Sequence, residues 1–181
     1  MAALRLVACA MVIVSLSACS ASSQPAHLST LTPQTTAQRD EALLEEATRV
    51  IKAETAAETR VYAGVDDIDA LRVYETPSHF RFLRDDVTKF RANGLITRGQ
   101  PHPMRFRILG SSTDDAGAME VQIGYCEDDS DLIVVGRDGH ALPPGSQSSR
   151  TSLVASLLRG PATHNQFRLD STTGSKEESF C

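Results

Sequence analysis

The chain has 181 residues, with 18 Lys+Arg against 23 Asp+Glu, a formal net charge of −5 and 41% apolar residues. Roughly 100–200 residues is the size of one domain. A negative balance without a clustered basic surface argues against nucleic acid as a partner, and no second apolar run reaches the roughly 20 residues that a spanning helix needs, which excludes a multi-span membrane protein.

Residues 1–18 read as a lipoprotein signal peptide. Arg5 precedes the apolar stretch Leu6–Leu16, and small residues Ser17 and Ala18 follow, the charge, apolar run and small-residue cleavage site of an export signal. Leu16-Ser17-Ala18-Cys19 resembles the lipobox of bacterial lipoproteins. That resemblance implies that the Cys19 thiol takes a diacylglyceryl group and becomes the mature N-terminus. An ordinary signal with an incidental cysteine is the other reading. One acyl chain alone holds weakly, whereas two or three keep a protein at the bilayer. The expected location is therefore the extracytoplasmic face of the cell membrane, with the membrane itself as a partner through the anchor. Residues 19–35 follow as a tether: Ser20–Thr36 holds eight Ser/Thr, two prolines and no charged residue, too little apolar surface to offset the entropy of ordering.

Four cysteines sort by position. Cys9 lies in the leader and Cys19 is the lipidation site, which leaves Cys126 and Cys181. An even pair in an exported chain is expected to form a disulfide; two free thiols are the alternative. Two cysteines without CxxC spacing or clustered histidines do not make a zinc site.

Residues 36–181 read as one domain. Thr35 and Gln38 can form a capping box, and apolar residues at Leu43, Leu44, Ala47, Val50, Ile51, Ala57 and Val61 predict a helix over Thr35–Ala63 that Gly64 stops. Glu45, Glu46, Arg49, Lys52, Glu58 and Arg60 fall mostly off that stripe. Asp66 or Asp67 caps a short second helix reaching Val73. Thr76-Pro77 opens a third, which buries Phe80 or Phe82, Leu83, Val87 and Phe90 and ends at Asn93-Gly94. After Gly99 the period becomes two. Strands are predicted around Met104–Leu109, Met119–Tyr125, Asp131–Arg137, Thr151–Arg159 and Gln166–Thr172, with a Ser-rich hairpin loop at Pro143–Ser149. Three helices followed by antiparallel strands give an α+β domain, with a curved, mostly antiparallel sheet closing on the first helix.

That order resembles the NTF2-like cone shared by nuclear transport factor 2 and SnoaL-like proteins. Tyr62, Tyr74, Gly94, Gly99, Tyr125-Cys126-Glu127-Asp128-Asp129-Ser130, Asp138-Gly139 and the terminal cysteine are closest to small actinobacterial NTF2-like lipoproteins of unknown function. The resemblance implies a cone that can hold a pocket between helix and sheet, with Tyr62, Tyr74, Tyr125 and Phe106 as candidate lining residues. It also implies a homodimer through the open sheet face. In that family some members are enzymes that set an acid beside a tyrosine inside the cone. Here the inward strand positions are expected to be Phe106, Ile108, Met119, Val121 and Ile123, all apolar. His79, at the start of an amphipathic stretch, and His102, His140 and His164, in loops or turns, find no matching carboxylate, so no catalytic constellation is visible. The acidic run Glu127–Asp131 lacks the ligand spacing of a calcium loop and reads as a solvated turn. Neither a metal nor a cofactor is expected.

The function that follows is a lipid-anchored, non-enzymatic module of the cell envelope that binds a protein partner or a small apolar ligand. One alternative is a SnoaL-like enzyme or lipid carrier with a cavity in the cone. Another is a surface-exclusion lipoprotein of a mobile element.

Overall fold

A computed structural model describes residues 35–143, 149–175 and 179–181. The signal peptide, Cys19, the tether before Thr35 and the centre of the Pro143–Ser149 loop lie outside the described residues. Helix α1, Thr36–Tyr62, starts at the expected cap: Gln38 N donates to Thr35 Oγ1 (3.2 Å) and Thr35 N to Gln38 Oε1 (2.9 Å), satisfying two amides that have no partner within the helix. Gly64, at φ +75°, turns the chain out of the helix, a left-handed conformation that glycine adopts without steric cost. A 3₁₀ helix, Ile68–Val73, is capped by Asp67. Helix α2, Pro77–Ala92, is capped by Thr76 with proline in its first turn.

Strands β2 (His102–Thr113), β3 (Met119–Asp128), β5 (Arg150–Arg159) and β6 (Arg168–Gly174) form one antiparallel sheet in the order β2-β3-β5-β6. The remaining strands, β1 (Ile96–Arg98) and β4 (Ile133–Val135), pair with each other in a separate two-stranded ribbon. The domain is α+β, with three helices packed on an antiparallel sheet. Strand β1 went unpredicted because three residues give too short a window for any period. The strand expected over Asp131–Arg137 is reduced to Ile133–Val135 and sits in the small ribbon, outside the main sheet. In α2 it is Phe80 that is buried, whereas Phe82 stays exposed.

The inner face of the sheet packs on the first half of α1: Val121, Ile123, Tyr125, Ala155, Leu157 and Leu169 meet Ala47, Val50 and Ile51. Burying a Leu, Ile or Val side chain contributes about 1.5–3 kcal/mol, which makes this the main source of cohesion. The second half of α1 packs elsewhere, with Ala57 and Val61 against Leu71, Phe80, Leu83 and Val87.

On the opposite face of the sheet the chain's end folds back as a strap. Cys126 and Cys181 are joined by a disulfide with their Cα atoms 5.0 Å apart, as the cysteine count predicts. Beside it Phe180 is buried over Gly124, where a Cβ would lie 2.4 Å from the Phe180 ring, so only glycine fits. Arg107 stacks on the other side of that ring at 4.4 Å, Phe180 N donates to Ser152 Oγ (2.9 Å), and Arg105 reaches the Cys181 carbonyl. Phe167 is buried immediately ahead of β6 rather than within it.

Candidate functional site

Between the two places where α1 packs, its buried stripe changes chemistry. Ala47, Ile51, Glu54, Glu58 and Val61 follow one another at spacings of three and four, so all face inward. Glu54 is 5% exposed and Glu58 is largely buried. Glu75, in the link between the 3₁₀ helix and α2, is 1% exposed. Glu127 continues the inward row of β3 after Val121, Ile123 and Tyr125. The expectation of an entirely apolar inner face therefore fails at its far end. The alternation that pointed Ile123 inward also points Glu127 inward, and the acidic run begins inside the strand rather than in a turn.

Glu75 organises the group. Its Oε2 lies 2.5 Å from His79 Nδ1, one helical turn further on. Its Oε1 is buried with no hydrogen-bond partner among the described residues, and the Glu54 and Glu58 carboxyls lie close enough to feel its charge. Crowding acids together in a buried layer disfavours the ionised form of Glu54. Burial, reinforced by Glu58 and Glu75, pushes Glu54 well above the usual carboxylate range. Burial and the charge of Glu75 raise Glu58 to about 7, against an opposing pull from His79. Burial, then Asp129 and Glu58, raise Glu127 to about 7. For His79 burial works against the charged form, but the hydrogen bond and charge of Glu75, with Glu58 and Asp170 behind them, raise it overall. The expectation that His79 lacks a matching carboxylate therefore fails: Glu75 supplies it, and the histidine side chain is 12% exposed.

The four predicted lining residues divide into two pairs. Tyr125 stacks on Phe106 with centroids 5.4 Å apart in the sheet core. Tyr62, set edge-on against Phe90, donates to Asp86 Oδ2 (2.6 Å) and joins Tyr74 around the helical cluster. Burial raises both Tyr125 and Tyr62; Glu127 and Glu54 add to the first, Asp86 and Glu58 to the second. Tyr125 and Tyr62 therefore each feel the carboxylates. Sequence reasoning passed over Glu54 and Glu75, set Glu58 off the buried stripe and read Glu127 as part of a solvated turn. The available signal was the spacing: Glu54 and Glu58 lie seven residues after Ala47 and Ile51, two turns along the same face.

The layer can hold and exchange protons near neutral pH. Among the described residues no group of three or more His, Cys, Asp or Glu side chains is arranged to hold a metal ion. A separate pocket of about 420 Å³ opens where the start of α2 meets the ends of β2, β3 and β5. None of Tyr62, Tyr74, Tyr125 or Phe106 lines it.

No family model matches the chain, and no curated protein matches it in sequence. In shape it is similar to the intermembrane space region of the chloroplast protein ARC6, at TM-score 0.53 and 7% identity, covering 72% of this chain and 95% of that one. A periplasmic fragment of TraM gives TM-score 0.49 at 9% identity over 72% of this chain and 95% of the fragment. A structure from Catenulispora acidiphila gives 0.44 at 12% over 76% and 93%. The first of these shows a shared fold and nothing of activity; the other two carry no weight.

Proposed function

We propose that the protein is an exported, lipid-anchored envelope module with an NTF2-like domain, which binds a small, largely apolar ligand and carries out no reaction. The observation that carries this reading is the pocket of about 420 Å³ with Pro77, Ala118, Met119, Leu158 and Pro161 among its lining residues. Ligand pockets are concave, mostly apolar sites with a few polar groups that fix orientation. A smaller recess shares Met119 and Arg159 with it and continues onto Arg39, Leu43 and Glu46 in the first turns of α1. The pocket thus neighbours the helix end to which the lipobox and tether lead. The Cys126–Cys181 disulfide fits an oxidising, extracytoplasmic setting.

Two measurements test this reading. Cys19→Ser is expected to move the protein from the membrane fraction to the soluble one. Native mass spectrometry of protein taken from its own membrane is expected to show a retained small molecule. Unchanged membrane attachment of the variant would end the anchoring proposal, and a ligand-free mass at every collision energy would end the binding one. A second reading, general acid–base catalysis, is favoured by the buried Glu54 and Glu75 carboxyls, the second of them bonded to His79. A retained ligand lost on Glu54→Gln but kept on Asp170→Asn would move the function there.

A further inference from the structure

We infer that the pocket beside the start of α2 takes an aliphatic amine, its ammonium group on the carboxylates of the pocket and its hydrocarbon body on the apolar wall. This assignment rests on the small-ligand reading above and names the ligand's chemical class. Three acids line the pocket: Asp114, Glu120 and Asp170. Among the described residues each accepts from protein donors on one oxygen. Asp170 Oδ1 accepts from Thr76 Oγ1 (2.7 Å) and Ser78 Oγ (3.2 Å). Asp114 Oδ1 accepts from Ala118 N (2.7 Å) and Ala116 N (3.0 Å). Glu120 Oε1 accepts from Ser156 Oγ (2.8 Å) and Gln122 Nε2 (3.3 Å). The second oxygen of each has no donor among the described residues, so fixed acceptors remain for a ligand.

The cation among the lining residues is committed elsewhere. Arg159 donates to Glu46 Oε2 at 2.9 Å and to Met119 Sδ at 3.3 Å, and its guanidinium lies 4.3 Å from the Phe167 ring centre. Among the lining residues three carboxylates thus stand against one guanidinium that is engaged elsewhere. An anion would be the ligand expected at a helix start, but Asp170 already occupies the α2 cap through Thr76 and Ser78, and Pro77 brings no N–H. An incoming anion would face that carboxylate. A bare metal ion is disfavoured as well, because the acids do not converge into a chelating group. Dispersed carboxylates around Ala118, Met119, Leu158 and Pro161 suit an organic cation whose charge sits at the end of a methylene chain. Burying that chain supplies the affinity, and the charge selects the head.

The test is calorimetric titration of the full mature chain in nonionic detergent with n-hexylamine, hexanoate and 1-hexanol as probes. Hexylamine is expected to bind about tenfold more tightly than either of the others, a difference of about 1.4 kcal/mol. Asp170→Asn, which keeps the cap's hydrogen bonding, is expected to remove most of that preference, and Glu120→Gln to reduce it. Equal binding of all three probes would overturn the amine assignment while leaving a small-ligand pocket in place. Binding by none of them would overturn it too, and so would an undiminished preference in both variants. Should Asp170→Asn fail to fold, the wild-type ranking and Glu120→Gln still decide. Fractionation of Cys19→Ser is untouched by any of these results.

Discussion

The two halves of α1 bury the same stripe and do different things with it. In the first half Ala47, Val50 and Ile51 interlock with Val121, Ile123 and Leu157, a layer whose worth is area removed from water and is indifferent to pH. In the second half Glu54 and Glu58 turn the stripe into a layer of carboxylates facing Glu75 and Glu127. A buried charge costs stability unless it is paired or neutralised, and here His79 pairs one oxygen of Glu75 while burial drives Glu54 toward its neutral form. One layer holds the fold together. The other is tolerated by it, which is the pattern expected where side chains are kept for something other than cohesion.

The largest effect should come from a change that strikes both layers alike. Cys126→Ser opens a loop spanning 55 residues, and the chain-entropy account puts the loss at about 4 kcal/mol. Urea unfolding should show that loss at pH 5 and pH 8 equally, since the disulfide acts chiefly on the unfolded chain. Ile51→Ala comes next. Ile51 is 1% exposed, and an isoleucine-to-alanine cavity costs about 2–5 kcal/mol, again the same at both pH values. A loss that depended on pH would mean that the apolar layer and the carboxylates are not separable.

How much of this was legible depends on range. The caps at Thr35, Asp67 and Thr76-Pro77 are local chemistry written within four residues, and all three helices begin where those residues put them. The disulfide needed only counting. Short β1 and the displacement of β4 into its own ribbon depend on pairing between Ile96–Arg98 and Ile133–Val135, contacts that no local pattern encodes. The carboxylate layer was hidden for a different reason. Reading Glu58 by its charge put it on the solvent side, although its spacing from Ile51 put it inside. Glu75 and His79 meet across a loop-to-helix junction, and Glu127 is a strand position disguised by the acids that follow it. The pocket beside α2 joins residues from Thr76 to Asp170 and could not be assembled from the sequence at all.

The carboxylate layer makes the next prediction, of opposite sign to the first two. Glu58 and Glu127 rise from 4.5 to about 7 on folding, and Glu54 rises further in the same direction. The folded chain then holds more protons than the unfolded one between about pH 4.5 and 7, so stability falls as pH rises through that window. His79, raised above 6.5, adds stability below that value and loses it as pH climbs past its folded pKa, the same direction again. The wild-type protein should be more stable at pH 5 than at pH 8. Glu58→Gln should raise stability at pH 8 by about 1–2 kcal/mol and change it little at pH 5. A Glu58→Gln protein weaker than wild type at pH 8 would show that this acid has an unrecognised cationic partner and belongs to the cohesive layer after all.

The smallest effect sharpens the boundary between the layers. Tyr62 borders the carboxylates from the helical cluster: its ring packs edge-on against Phe90 with centroids 5.1 Å apart, while its hydroxyl donates to Asp86 Oδ2 at 2.6 Å. Tyr62→Phe keeps the ring and removes only the hydroxyl, so the expected cost is that of one hydrogen bond, about 1 kcal/mol. Asp86 is exposed, so water can replace the lost donor and the cost should stay near that figure. The informative comparison is with the Tyr62→Phe, Glu58→Gln double variant. Glu58 raises the phenol through its charge and is not a hydrogen-bond partner of it. If Tyr62 acts only by packing and by its bond to Asp86, the two effects add to within about 0.5 kcal/mol. A larger coupling between them would place the phenol inside the carboxylate layer rather than beside it.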